Sequence, residues 1–334
     1  MTTVPMAAPW WRGAVEWVAR HDAEWWQPWR LLPHLADTAY APDLLRVATM
    51  AAGVRLEVTT DASRVRLAVR SAHDAPVALD VVVDSTLARR VSVPPGVSEV
   101  HADLPGGSHR IELWLPQFGV ASYGPVTLDG ASFATPVDAR PRWTTYGSSI
   151  TQCSGAAGPS ETWPALVARR LGWDLTCAGF SGQCHLDPIA AATIAETPAD
   201  IVSLCLGVNM YGANSYGPRT FAGHVAAFVR GVRAAHPAAT ILVISPIVCP
   251  RAETTPNATG QTLAGIRSVV AGVTRDLQKD DADLHLLDGP AVLGHPEVAL
   301  LPDGLHPNAE GYHHMARRIG DHLATLAAGR RRGA

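Results

Sequence analysis

Between residues 44 and 134 apolar and polar residues mostly alternate. The runs GVRLEVTT (53–60), RVRLAVRS (64–71), VALDVVVD (77–84), SEVHADL (98–104) and RIELWLP (110–116) each send successive side chains to opposite faces. Turn-forming clusters separate them: Asp61-Ala62-Ser63, Pro94-Pro95-Gly96 and Pro105-Gly106-Gly107. Short alternating strands with such punctuation predict an antiparallel, jelly-roll-like β-sandwich, one face of each sheet wet and the other in the core.

From about residue 139 the period changes. The short, nearly all-apolar runs RWTTYG (142–147), WDLTCAG (173–179), DIVSLCLG (200–207), TILVISP (240–246) and LHLLDG (284–289) now alternate with helical patterns. The helices are predicted over SETWPALVARRLG (160–172), near 186–196, over TFAGHVAAFVRGVRAAH (220–236), within 258–279 and near 308–326. Strands apolar on both faces belong to a parallel sheet covered on both sides. The second half is therefore predicted to be a three-layer α/β/α domain with a mainly parallel, doubly wound sheet. SFATPVDARPR (132–142), with two prolines, is the natural boundary. It divides an N-terminal arm and β-sandwich (1–138) from an α/β domain (139–334).

The arm is unusual. Six of the ten tryptophans lie between Trp10 and Trp29, including the doublets Trp10-Trp11 and Trp25-Trp26. Such rings either form a sugar-stacking surface or anchor an irregular arm to the body. The second reading is preferred, because a segment without regular structure needs large side chains to hold it down.

Composition narrows the function. At 334 residues two domains are expected, and a formal charge of -3 provides no basic field for nucleic acid. The Arg330-Arg331-Arg332 tail is read as a solvated end. No run has the apolar length of a membrane span, and the first residues lack the basic-then-apolar order of a secretory leader. The five cysteines lie between Cys153 and Cys249 with no C-x-x-C pair, as expected of reduced, mostly buried thiols in a cytoplasmic protein rather than zinc ligands.

In a parallel α/β sheet the functional edge is where strands end. The first strand is followed by Gly147-Ser148-Ser149-Ile150-Thr151, the second by Gly179-Phe180-Ser181-Gly182-Gln183, the third by Gly207-Val208-Asn209-Met210. Near the end comes Asp303-Gly304-Leu305-His306-Pro307-Asn308. Each alone reads as a turn. Asp303-His306 alone also reads as a capping turn before the last helix. Together they supply a nucleophile, oxyanion donors, a base and an orienting acid. Metal binding by His306 with His313 or His314 lacks a supporting carboxylate cluster, so no metal or cofactor is expected.

This ordered set resembles the SGNH, or GDSL-type, hydrolase family over about residues 140–326. The family's Gly-Asp-Ser-(Leu/Ile) block appears as Gly147-Ser148-Ser149-Ile150, its second-block glycine as Gly182, its Gly-x-Asn-Asp block as Gly207-Val208-Asn209-Met210, and its Asp-x-x-His block intact. The resemblance implies Ser149 as nucleophile, His306 as base and Asp303 as orienting acid. It implies an oxyanion hole made of the Ser149 and Gly182 N–H groups and the Asn209 side chain. Ser148 and Met210 stand where the family carries aspartate, which alters the polar support of the site. The preceding sandwich resembles a two-domain subgroup of carbohydrate esterases and of acyltransferase-like relatives in natural-product pathways.

Tyr211, Asn214 and Tyr216 after the third strand, Arg251 and Glu253 after the fourth, and His185 behind Gly182 follow strand ends and are candidates for lining the substrate cleft. So is LWLPQFGVASYG (113–124), with Trp114 and Gln117, from the first domain. The leading expectation is a cofactor-free ester hydrolase acting on a small-molecule or carbohydrate ester. The alternative is an acyltransferase that uses the same acyl-enzyme and takes its acyl group from a donor such as a thioester. A second alternative is a non-catalytic carbohydrate-binding protein.

Overall fold

The computed structural model describes residues 2–7, 9–20 and 24–333, the side chains of 330–333 excepted; the Arg330-Arg331-Arg332 side chains, read above as a solvated end, therefore lie outside the described residues. The chain divides into two compact units: 1–140 with 157–160 and 174–177, and 141–156 with 161–173 and 178–334.

The first unit carries two antiparallel six-stranded sheets. One runs Glu16–Arg20, Trp25–Trp29, Ala121–Asp129, Arg64–Ser71, Gly96–Asp103, with Thr2–Val4 also paired to Ala121–Asp129. The other runs Ala134–Pro136, Arg55–Thr60, His109–Trp114, Val77–Val83, Thr86–Val93, with Trp11–Arg12 also paired to Arg55–Thr60. Burial alternates residue by residue along Arg64–Ser71, as its sequence pattern requires. Leu56, Val58, Val65, Leu67, Val69, Val81, Ile111 and Leu113 fill the space between the inner faces. Glu57 is buried among Arg12, Arg55, Arg110 and Arg140. Burial would raise its pKa, but the Arg55, Arg140 and Arg110 guanidiniums hold it at about 2.

Three segments depart from the sequence reading. The N-terminal arm is not irregular: Trp11–Arg12, Glu16–Arg20 and Trp25–Trp29 are strands of the two sheets. Its tryptophans still anchor it, Trp11 and Trp29 being buried and Trp17 packing edge-on against Trp11 and Tyr123. Aromatic side chains favour a pleated, half-buried surface, so the anchoring and the strand formation have one cause. Thr86–Val93 is also a strand; Arg89 and Arg90 obscure its alternation because it lies at a sheet edge, where charge is tolerated. Finally, 113–124 spans the end of one strand and the start of another. Trp114 is buried and its indole N–H donates to Glu112 Oε2 at 2.8 Å, so it is a core residue.

The second unit is a three-layer α/β/α domain. Its five-stranded sheet has the order Asp174–Gly179, Arg142–Gly147, Ile201–Cys205, Thr240–Ile244, Leu284–Leu287, with the last four paired in parallel register. Thr240–Ile244 is buried at every position. Helix Trp163–Leu171 packs on Ala309–Gly333, and Pro188–Glu196 packs on Pro218–Ala235, which packs on Leu263–Leu277. In this 2-1-3-4-5 order the direction of winding reverses between the first strand, ending at Gly147, and the third, ending at Cys205. Such a reversal leaves a crevice at the strands' carboxyl ends.

Candidate active site

Ser149 stands at the end of the strand Arg142–Gly147, on one side of that reversal, and Asn209 follows the strand on the other side. A short helix, Ser149–Gln152, begins at the serine, and the Ser148 hydroxyl caps it by accepting from the Ile150 N–H at 3.2 Å. Ser148, where the family carries aspartate, thus has a local structural partner. Gly147 is required for room rather than for a special bend, because a Cβ there would fall 2.2 Å from Thr151 Oγ1. Gly179, ending the next strand, is held to the same standard: its Cβ would lie 2.6 Å from the Gln152 nitrogen. The Phe180 N–H donates to the Gly147 carbonyl at 2.7 Å, so the two strand-end loops touch backbone to backbone.

Three residues distant in sequence or separated by one turn come together in line. Ser149 Oγ lies 2.8 Å from His306 Nε2, and His306 Nδ1 lies 2.7 Å from Asp303 Oδ2. The other carboxylate oxygen, Asp303 Oδ1, accepts the backbone N–H groups of His306 (2.7 Å) and Leu305 (2.9 Å). Gly304, at φ 77°, occupies the left-handed conformation that lets the turn close within four residues. Desolvation would raise the Asp303 pKa; the hydrogen bonds from the His306 ring and from the two backbone N–H groups outweigh it and hold it at about 2. The carboxylate is therefore ionised near neutral pH, and it faces His306 Nδ1 while Nε2 faces the Ser149 hydroxyl.

The candidate donors are fixed by other means. Gly182 lies at φ 72° with open space where a Cβ would be. The preceding Ser181 N–H donates to the buried Gln152 Oε1 at 2.9 Å, which ties this loop to the serine's own helix. Asn209 Oδ1 accepts the Cys184 N–H at 3.0 Å, so its amide nitrogen is the end left to donate. Met210, where the family carries aspartate, is buried in the apolar interior.

The candidate cleft residues sort differently. His185 bridges Gly182 and the next loop, its Nε2 3.0 Å from the Gly182 carbonyl and its Nδ1 2.8 Å from Ser215 Oγ. The Tyr211 hydroxyl donates to the Thr255 carbonyl at 3.0 Å, and the Tyr216 hydroxyl to the His185 carbonyl at 2.6 Å. Asn214 Oδ1 accepts the Ala258 N–H at 2.8 Å. Glu253 turns inward to pair with Arg267. Arg251 stays exposed, its Nε 3.8 Å from where a Gly304 Cβ would be. Sequence reasoning missed Gln152 and Cys249. Both make contacts across the fold, Gln152 to Ser181 and Cys249 to Gly304, and no local pattern signals them. Among the described residues no group of three metal-ligating side chains occurs, and no helix is long and apolar enough to cross a membrane.

A family model described as GDSL-like Lipase/Acylhydrolase matches residues 145–314, and one described as the SsfX3 N-terminal domain matches residues 10–121. Among solved structures the chain is similar to the salicylyl-acyltransferase SsfX3 from a tetracycline biosynthetic pathway: 32% identity, covering 98% of this chain and 97% of that one, TM-score 0.88. In fold it is also similar to two family two carbohydrate esterases. The one from Clostridium thermocellum, in complex with cellohexaose, is 16% identical over 84% of this chain and 94% of that one, TM-score 0.65. The one from Cellvibrio japonicus is 16% identical over 97% of each chain, TM-score 0.67. No curated protein sequence matches.

Proposed function

The chain belongs to the GDSL-like lipase/acylhydrolase family, and from that premise we propose that residues 139–334 form a catalytic domain that cleaves esters through an acyl-enzyme on Ser149. The observation that carries this reading is the continuous Ser149–His306–Asp303 hydrogen-bond line at 2.8 and 2.7 Å. A serine hydroxyl is a poor nucleophile until a base takes its proton. As Ser149 Oγ attacks the ester carbon, its proton passes to His306 Nε2, and Asp303 stabilises the imidazolium that forms. The carbonyl oxygen becomes an oxyanion, to which the Ser149 N–H, the Gly182 N–H and the Asn209 amide donate. His306 returns the proton to the leaving alkoxide. Water, activated by the same histidine, then attacks the acyl carbon and frees the acid. No cofactor enters this sequence.

Transfer to an alcohol differs only in the second nucleophile. The full-length likeness to SsfX3, through both halves of the chain, supports an O-acyltransferase as the second reading, with a thioester as acyl donor and a small-molecule acceptor. We place the protein in a reducing, cytoplasmic setting, in which the thiols of Cys153, Cys177, Cys184, Cys205 and Cys249 would stay reduced. Arg251, exposed beside the Asp303–His306 turn, is the cleft candidate best placed to meet substrate, whereas Tyr211 and His185 hold loops in place.

The test uses a fluorophosphonate and a panel of esters from acetyl to long-chain and aryl. The protein should label at Ser149, and Ser149→Ala should lose label and about 10⁴–10⁶-fold in turnover. Unchanged turnover in Ser149→Ala would end the reading. With a thioester donor and an alcohol present, counting acylated acceptor against free acid separates transferase from hydrolase.

A further inference from the structure

The segment after the strand Thr240–Ile244 was expected to face substrate, yet it is bound inward at several points. The Arg267 guanidinium, from helix Leu263–Leu277, grips Glu253 in a bidentate pair, Nη2 to Oε1 at 2.7 Å and Nη1 to Oε2 at 2.8 Å. The same guanidinium donates to the Pro246 and Ile247 carbonyls at 2.8 and 3.1 Å. Glu253 Oε1 also accepts the Cys249 N–H at 2.9 Å, and the Cys249 carbonyl accepts the N–H groups of Ala252 and Glu253. The Glu253 carboxylate of this tight turn is thereby held within the fold. Beside exposed Arg251, the turn contacts the Asp303–His306 turn through a thiol: Cys249 Sγ donates to the Gly304 carbonyl at 3.0 Å. Gly304 is the residue between Asp303 and His306 whose left-handed conformation closes their turn. Leu305 packs on the same small cluster of Cys249, Ala252 and Leu263.

We propose that the Glu253–Arg267 pair, acting through the Cys249 thiol on the Gly304 carbonyl, positions the Asp303–His306 turn for proton transfer. This rests on the reading of Asp303 and His306 as the relay to Ser149. None of the three touches substrate or the reacting atoms; they are positioning residues. The turn needs such support because it is short, its Asp303 side chain is 55% accessible, and the carboxylate's hydrogen bonds run to Leu305 and His306 of the same turn. Burial pushes the Cys249 thiol pKa up, which keeps the proton that it donates. Burial would also raise the Glu253 pKa, but the Arg267 and Cys249 hydrogen bonds hold it below the usual carboxylate range, so the pair stays charged.

The experiment compares Cys249→Ala, Cys249→Ser, Glu253→Gln and the double variant Cys249→Ala/Glu253→Gln with the parent, on an ester that the parent turns over. Since small displacements of a base can cost up to about 10²-fold, Cys249→Ala is expected to lower kcat by about tenfold with KM within about twofold. Cys249→Ser keeps a donor of similar size and should recover most of that loss. Glu253→Gln should reproduce part of it, and the double variant should be little worse than Cys249→Ala, because both changes break one route. The rate of fluorophosphonate labelling at Ser149, scored on folded protein only, should fall in parallel with kcat; this keeps the test valid for a variant that folds poorly. A Cys249→Ala enzyme with the parent's kcat and labelling rate overturns the proposal, as does a Cys249→Ser enzyme no better than Cys249→Ala or a loss confined to KM. Ser149→Ala separates this from the wider reading. If Ser149→Ala is inert while Cys249→Ala is normal, only the positioning role fails; if Ser149→Ala is active, the relay itself is misassigned.

Discussion

The two halves of the site are built in opposite ways. The proposed proton-relay half, Asp303 to His306, is one turn whose two side chains lie three residues apart and bond each other directly. The proposed donor half, Gly182 and Asn209, is assembled from two loops after two strands, and its braces are Gln152 and the Cys184 and His185 positions. The imidazole meets its carboxylate within one turn, so that contact is local in sequence. An oxyanion hole needs donors converging from separate strands, so it exists only once the sheet has formed. Both halves have a brace behind them, Cys249 for the first and Gln152 for the second, but only the first has its two side chains within one turn.

The sharpest break of the first kind is Asp303→Asn. It keeps the shape but removes the charge that holds the histidine proton on Nδ1, and kcat should fall by about 10⁴-fold, measured by steady-state hydrolysis. A fall of less than tenfold would mean that the carboxylate does not set the tautomer. Next in size, Asn209→Ala deletes a donor and should cost about 10²–10³-fold in kcat, roughly 3–4 kcal/mol, with KM little altered. A change in KM alone would show that the amide binds substrate rather than the developing oxyanion. Smaller again, Gln152→Ala frees the Ser181–Gly182 loop without touching either half's working atoms. About a tenfold loss in kcat is expected, from loop misplacement. Parent-like kinetics would show that the loop is held without Gln152, by contacts such as that of His185 with the Gly182 carbonyl.

The smallest effect concerns pH. The Asp303 pKa is held at about 2, below the ordinary carboxylate value of about 3.9. A depressed folded-state pKa adds stability above the unfolded-state value and loses it as pH falls through the folded one. The difference in melting temperature between parent and Asp303→Asn should thus be constant from about pH 5 to 8 and shrink between about pH 4 and 2. It will be small, because Asp303 is more than half exposed and water screens its interactions. A difference that changes between pH 5 and 8 would point to another titrating group.

The contrast also explains what could be read in the sequence. Asp303 and His306 were singled out by the Asp-x-x-His block that resembles the family's, since alone they read equally as a capping turn; the structure brings them within 2.7 Å. Ser149 and Asn209 were legible because glycine-marked strand ends after apolar runs such as Ile201–Cys205 locate the sheet's edge. Gln152 and Cys249 were not, because a buried amide or thiol acquires its role only from a partner that the tertiary fold brings near. Glu253 was misread for the same reason: an acidic residue in a polar loop looks solvent-facing until Arg267 is placed opposite it. In the first unit, Arg64–Ser71 declared itself by strict alternation, whereas Thr86–Val93 hid behind edge-strand arginines.

The glycines around the site differ in what they forbid. Gly147 and Gly179 are boxed in by atoms, but beyond the Cα of Gly182 there is only vacant volume. A left-handed backbone excludes most side chains there by torsion rather than by crowding, and asparagine tolerates that torsion best. Position 182 is consequently where a redesigner could add a side chain to this loop by a single substitution while the rest of the frame stays put.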